Sequence, residues 1–433
     1  MLLVVLGACV ASPDIDEAAD ELSLPFGQHF FDAALPHTNG RACATCHIEA
    51  DHFALTPAHV AAAALTDPIF NRIDADDPDA AVPTYDHLKA GLVRVTVKLA
   101  DNLDVIDASG NVITNADRTI SLWRGVPTVE NVSYTAPYQL DGRAPTLTAQ
   151  ALGALQAHSQ ITVDPPRVDL DLIADFEKTV YSSPAAVEVA IEVALGRTPP
   201  PVNLHLRPGT DAAEGQKVFL SVCARCHGTG TTNHVVEQPV FDSFFPVQHA
   251  DGTVDISGFL PDGVGIPTTF MQNVPRTHEG TLGISVLTML GQLGVLPNPT
   301  GVSFPQYRIR FYTDATRTQA RVDMPPLPPG IGPALAPEPF SVDPGRALIS
   351  GDPIDWEGFD VPQLRGVAKT APYFHDNSAP DLRSLLDIYS RFILNADPVL
   401  NLPPIFPPEG PGLPPESLSP TQKTQLIAFL QLL

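Results

Sequence analysis

Thiols, positive charge and long apolar runs are all scarce in this chain of 433 residues. Only five cysteines are present; four fall in the runs CATCH (Cys43, Cys46) and CARCH (Cys223, Cys226), and Cys9 stands alone, so no pair is left over for a disulfide framework. Basic residues number 25 against 49 acidic ones, a net charge of -24. That balance excludes nucleic-acid binding, which demands a basic surface, and reads as a solubilising surface ahead of one that steers a cationic partner. The apolar opening MLLVVLGAC is too short to span a bilayer and gives way at once to Asp14, Asp16, Glu17, Asp20 and Glu21. What the chain has in excess is proline, 46 residues, about twice the usual share. With 44% hydrophobic and 17% charged residues it reads as globular, with long ordered loops wrapped around something rigid.

The rigid element follows from the two C-x-x-C-H runs. Two thiols three residues apart on one turn reach the two vinyl groups of a porphyrin, and the next histidine falls where its imidazole binds iron. The competing zinc reading of the same cysteines is disfavoured by the histidine directly after each second cysteine. Cys43, Cys46 and His47, and Cys223, Cys226 and His227, are therefore assigned to two covalently bound haem c groups, with His47 and His227 as proximal iron ligands. Attachment of this kind happens outside the cytoplasm, so the chain is expected to be exported to the periplasm. Residues 1–20 then read as a signal segment, although a basic n-region is missing. Leu6-Gly7-Ala8-Cys9 resembles a bacterial lipobox, which would acylate Cys9 and make that lipid the chain's membrane contact; a plain cleaved signal is the alternative.

The two runs lie 180 residues apart, and a second signal repeats with them. PTVENVSYTAPYQLDGRAPTL from Pro127 aligns without gaps to PQLRGVAKTAPYFHDNSAPDL from Pro362. The expected fold is mainly α: two cytochrome c-like haem domains, 21–205 and 206–433, with a boundary in the proline-rich stretch from about Leu195 to Pro208. Helices are expected from about Asp169 to Tyr181, on the approach Val218, Phe219 and Val222 to Cys223, and from Leu382 to Phe392. The last helix should start at Ser419, with Pro420 in its first turn, Gln422 closing a capping box, and Leu426, Phe429, Leu430 and Leu433 buried. Between Thr66 and Arg118 the pattern changes: Val93 to Leu99 alternates like a strand, and the turn Ser109-Gly110-Asn111 suggests a small β-hairpin insertion. Pro325 to Pro344 and Pro403 to Pro415 read as loops.

The blocks GQHFFDAAL, VPTVENVSYTAPYQLDGRAPTLTAQALGA, EGQKVFLSVCARCH and VPQLRGVAKTAPYFHDNSAPDLRSLLDIY, in this order, resemble the bacterial diheme cytochrome c peroxidase and MauG family. They cover about a third of the chain. The resemblance implies that the N-terminal haem reacts with hydrogen peroxide while the C-terminal haem stores or relays electrons. It also places Gln150 at the distal glutamine of the peroxide pocket, seven residues after Arg143 of the DGR motif. The family's catalytic acid falls on Gln160, which cannot move a proton between the peroxide oxygens at ordinary pH, whereas His158 nearby can. The family's interhaem tryptophan falls on Leu140. Where the classical peroxidases have an axial methionine, fourteen residues after His375, this chain has Tyr389. That resembles MauG, where phenolate ligation lowers the iron potential; Met324 and Met271 are the alternative ligands. Gly125 occupies the position of the family's calcium-ligand side chain, which leaves calcium doubtful. Arg124 and Arg143 suit haem propionates, His52 and His59 read as solvated loop histidines ahead of distal ligands, and His375 as a structural histidine between domains.

The resemblance thus implies an oxidoreductase that spends peroxide on an external donor. The donor is either a small cytochrome or copper protein, or a protein side chain, and Tyr389 leans towards the second. The rival from another class is a non-enzymatic diheme electron carrier, which Gln160 and Leu140 favour.

Overall fold

Two helix crossings, each closed by a glycine, frame the computed structural model of this chain. The residues it describes are 15–197, 204–224, 227, 253–255, 265–267, 300–319, 321–324, 341–352, 355, 358–360, 362–390 and 416–433. Cys9, Cys226, Met271 and the two proline-rich stretches, apart from residues 341–344, lie outside them.

Ten helices outnumber seven short strands among the described residues. In the N-terminal half these are α1 (Ile15–Asp32), α2 (Pro57–Ala62), α3 (Asp86–Lys89), β1 (Leu92–Lys98), β2 (Leu103–Ile106), β3 (Thr119–Gly125), α4 (Leu147–Ala157), α5 (Arg167–Glu177) and α6 (Pro184–Ala194). Then follow α7 (Asp211–Val218), β4 (Thr253–Asp255), β5 (Gly265–Pro267), β6 (Arg308–Tyr312), β7 (Arg321–Met324), α8 (Ala347–Ser350), α9 (Leu382–Ile388) and α10 (Pro420–Leu430).

Helix α1 crosses α5, and α7 crosses α10. At the first crossing a Cβ on Gly27 would run into the Leu172 carbonyl, and at the second a Cβ on Gly215 would run into the Gln425 carbonyl. Backbones can approach this closely only where one partner has no side chain. Helix α10 forms as expected: Ser419 Oγ accepts from Gln422 N at 3.2 Å and Gln422 Oε1 accepts from Ser419 N at 2.9 Å. Its Leu426 and Phe429 are fully buried. The expected helix to Tyr181 stops earlier, at Glu177, because Lys178 caps it and the chain turns through Val180. Helix α9 ends at Ile388 and continues as a wider turn through Ser390.

The insertion between Thr66 and Arg118 contains the expected strand. β1 pairs antiparallel with β3, Leu92 opposite Gly125, and its valines Val93, Val95 and Val97 point into the core while Thr96 and Lys98 face out. The turn at 107–111 closes through Asn111 donating to Asp107, but the expected hairpin is only a single bridge, Ile106 to Val112. β2 pairs instead with β6, which pairs with β7, so this sheet joins the insertion to residues 308–324. Hairpin signals are local, and a partner two hundred residues away leaves none.

The sequence repeat is a structural repeat. At matching positions each copy has a left-handed residue (Asn131, Gly366), a one-turn helix (Val132–Tyr134, Val367–Lys369), a cis Ala-Pro bond before the TAPY tyrosine, and a bridge (Tyr138 to Ala144, Tyr373 to Ala379). A capped helix follows in each, Thr146 opening α4 and Asp381 opening α9. Contacts tie the copies together: Gly125 N donates to His375 O at 2.7 Å, Asp360 N to Leu140 O at 2.7 Å, and Asn377 Nδ2 to Ala90 O and Gly91 O.

Candidate cofactor sites

Each C-x-x-C-H run faces a cavity, and the two cavities share a wall built from Gly125 to Thr128, Val132 and Tyr138 to Leu140. In the first cavity the turn Cys43–Thr45 presents Cys43, Cys46 and His47. Burial pushes the Cys43 thiol far up and the Cys46 thiol up to about 11. Both sulfurs are thus held neutral in apolar surroundings, the state that suits a thioether better than a thiolate. His47 Nδ1 lies 3.0 Å from the Phe53 carbonyl. A carbonyl only accepts, so Nδ1 carries the proton and Nε2 keeps its lone pair for a metal. Burial lowers the pKa of His47, against the pull of the Phe53 and Pro127 carbonyls, which favours that neutral form.

The second cavity repeats the device. Helix α7 widens into a turn over Phe219–Cys223, and His227 Nδ1 lies 3.0 Å from the Pro362 carbonyl. The freed Nε2 meets the hydroxyl of Tyr389 at 3.3 Å. Burial lowers the pKa of His227 as well. Cys223, His227 and Tyr389 thus line one cavity.

The chain's residues fit haem at both places. Thiol sulfur and an imidazole lone pair converge on each cavity, from Cys43, Cys46 and His47 at the first and from Cys223 and His227 at the second. Polar atoms in the walls are left without protein partners: Gln150 Oε1 and Glu177 Oε2 at the first, both ring nitrogens of His375 at the second. Buried polar atoms rarely stay unpaired, so these point to a polar occupant.

The sites expected from sequence fall out as follows. Arg143, Gln150 and His158 all line the first cavity with His47. Burial lowers the pKa of His158, so its ring is neutral and able to accept a proton. Gln160 does not reach this wall; it takes a left-handed conformation after α4, and its Oε1 accepts from Asn39 Nδ2 at 3.2 Å. His52 and His59 are 38% and 34% exposed at the side chain and do not line the cavity. Leu140 lines both cavities. Arg124 is committed to a buried network, with Asp141 at 2.6 Å and Asp343 at 2.6 Å, and Arg143 also pairs with Asp141. These carboxylates raise the pKa of Arg124 despite its burial. His375 is 1% exposed and stacks on Phe359 at 4.1 Å. At Gly125 an added Cβ would collide with Asn377 Oδ1.

One residue escaped the sequence reading. Glu177 closes the buried stripe Leu170, Ile173, Ala174 of α5 and lines the first cavity at 3% exposure. Burial raises its carboxyl to about 8, the neighbouring Lys178 opposing. The signal was present: helical spacing carries the apolar face directly onto an acid.

Residues 26–183 match the di-haem cytochrome c peroxidase family; the second C-x-x-C-H run lies beyond the matched segment. A cytochrome-c peroxidase of Denitromonas iodatirespirans, IdrP2, is 33% identical over 91 residues, so the match spans 21% of this chain and 21% of that relative. Two solved structures overlay on the chain. A MauG-like protein associated with microbial copper homeostasis does so with 14% identity and a TM-score of 0.41, covering 100% of this chain and 95% of that one. The diheme peroxidase BthA from Burkholderia thailandensis E264 has 14% identity and a TM-score of 0.34, covering 98% and 87%. Among the described residues no helix is long and apolar enough to cross a membrane.

Proposed function

From the resemblance to the di-haem cytochrome c peroxidase family carried by residues 26–183, we propose that this chain is an exported diheme oxidoreductase that uses hydrogen peroxide to oxidise an external donor. Residues 21–205 would hold the peroxide-reacting haem and 206–433 the electron-relaying one. Haem bound at these sites supplies redox-active iron.

The observation that carries the reading is an asymmetry between equivalent helices. When the register of the repeat is carried on into the helices that follow it, which start at the matching residues Leu147 and Leu382, Tyr389 of the second cavity corresponds to Ala154 of the first, and each lines its own cavity. The tyrosine closes the face opposite His227, while a methyl group leaves the face opposite His47 open to a small oxidant. Around that opening the chain's own groups divide the work. Gln150 Oε1 has no protein partner and is free to orient a bound O–H. His158, neutral by burial, accepts a proton and returns it. Arg143, held by Asp141, places fixed positive charge on the wall. Tyr389, beside His227 Nε2, takes the role of second-site ligand, and a donor of this anionic kind lowers iron potential. The donor to the enzyme is a small redox protein or an oxidisable side chain of a protein. Acylated Cys9, where processing leaves it, would tether the protein to a membrane.

Spectroscopy of the holoprotein tests the proposal. One five-coordinate high-spin haem that turns over hydrogen peroxide is expected, together with a mass exceeding the polypeptide by two haem groups. Two six-coordinate low-spin haems that ignore peroxide after reduction would make the chain an electron carrier. That second reading has its own support in Leu140 filling the shared wall and Gln160 lying outside the first cavity.

A further inference from the structure

Helix α5 spends a position of its buried stripe on a carboxylic acid, and the architecture of the first cavity gives that acid something to do. Glu177 is 3% exposed, sits in the wall that also holds Cys43 and His47, and has an oxygen, Oε2, with no hydrogen-bond partner in the protein. A bare buried acceptor costs about 1–3 kcal/mol. The acid is almost wholly buried, so any proton it holds is coupled to charge inside the cavity.

The geometry points to Glu177 as a proton-exchanging group of the first haem site: it takes up one proton from solvent when that haem gains an electron and releases it when the electron leaves. The inference rests on haem being attached through Cys43 and Cys46. Written in balance, the ferric haem gains one electron from a one-electron donor, the Glu177 carboxylate gains one proton, and the products are ferrous haem and the neutral acid. The sign is electrostatic. Reduction removes one positive charge from the cavity, the carboxylate loses that attraction, and its proton affinity rises.

The described titratable groups around Glu177 leave it as the free proton holder. Cys43 is consumed by attachment and Tyr138, pushed up to about 12 by burial and by Glu177 itself, stays protonated. Lys178 follows on the same helix, but its ammonium is paired with Asp175 at 2.9 Å on the surface. Asp32 of α1 acts on Cys43. On the cavity wall His47 faces the iron, Arg143 is paired with Asp141, and His158 is held neutral. The burial that raises Glu177 to about 8 puts its proton exchange near physiological pH.

The test is a potentiometric titration of the holoprotein at a series of pH values around 8, read at the high-spin bands of the first haem, for the wild type and Glu177→Gln. The midpoint of the wild type should fall as pH rises, and the variant should lose that dependence. Reduced-minus-oxidised infrared spectra should show a buried carboxylic-acid carbonyl band gained on reduction in the wild type and missing in the variant. A pH-independent wild-type midpoint overturns the inference whether or not the variant folds, and so does an undiminished pH dependence in a folded variant. A missing haem signal at the first site would instead sink the haem assignment, so the two failures are distinguishable.

Discussion

Replacing Glu177 with glutamine should change how stability depends on pH, by an amount set by burial. The Glu177 carboxyl rises from 4.5 to about 8 in the folded chain because burial penalises its charged form. At about 1.36 kcal/mol per pH unit, that span corresponds to roughly 5 kcal/mol. The folded state binds the proton more tightly than the unfolded one, so the stability it contributes is fully present below pH 4.5 and is lost as pH rises through about 8. Glutamine has the same shape and no proton to lose, so the variant lacks this slope. All other titrating groups are common to both proteins and cancel in the difference. The stability of Glu177→Gln relative to wild type should therefore rise by roughly 2 kcal/mol between about pH 6 and about pH 8. Urea unfolding of the holoproteins at several pH values, followed by circular dichroism, measures it. Parallel stability curves across that range would refute the reasoning.

Further outcomes follow from the second cavity and from the helix crossings. Tyr389→Phe should alter the low-temperature EPR spectrum of the second haem, because it removes the oxygen beside His227 Nε2; an unchanged spectrum would exclude tyrosine ligation. Gly215→Ala should destabilise by about 1–3 kcal/mol through overpacking against the Gln425 carbonyl, seen as a lower melting temperature of α7 and α10. Gly153→Ala should do the opposite, by about 0.5–1 kcal/mol, because it lies in α4 with only Gln139 Nε2 near, at 3.9 Å.

Much of this architecture was legible along the chain, for reasons that differ from place to place. The TAPY repeat and the cap of α10 are local patterns in which residue type dictates geometry directly, and the structure keeps both. The pairing of β2 with β6 is not local: it depends on Asp104 and Leu103 meeting Arg310 and Phe311, and nothing near residue 104 announces that. Gln160 was assigned by counting residues from Arg143, but the chain turns left-handed after α4 and carries that side chain to Asn39 instead. Apolar residue type alone passes over Glu177: Leu172 and Phe176 lie off the buried face of α5, which runs through Leu170, Ile173, Ala174 and Glu177.

The repeat also makes the division of labour between the sites testable with one substitution. Both copies use the same frame up to the helix that follows the TAPY bridge, so a side chain introduced at position 154 should project as Tyr389 does. Ala154→Tyr would then bring a hydroxyl to the face opposite His47, as Tyr389 brings one to His227 Nε2. The first haem should become six-coordinate and lose its reaction with peroxide, while the second keeps its spectrum. Ala154→Phe separates the two contributions: it fills the same space without an oxygen, so it should slow the peroxide reaction and leave the first haem five-coordinate. If the tyrosine variant retains a high-spin haem with undiminished peroxide turnover, the open face over Ala154 is not where the oxidant binds, and the asymmetry between Ala154 and Tyr389 no longer supports a peroxide-reacting first site.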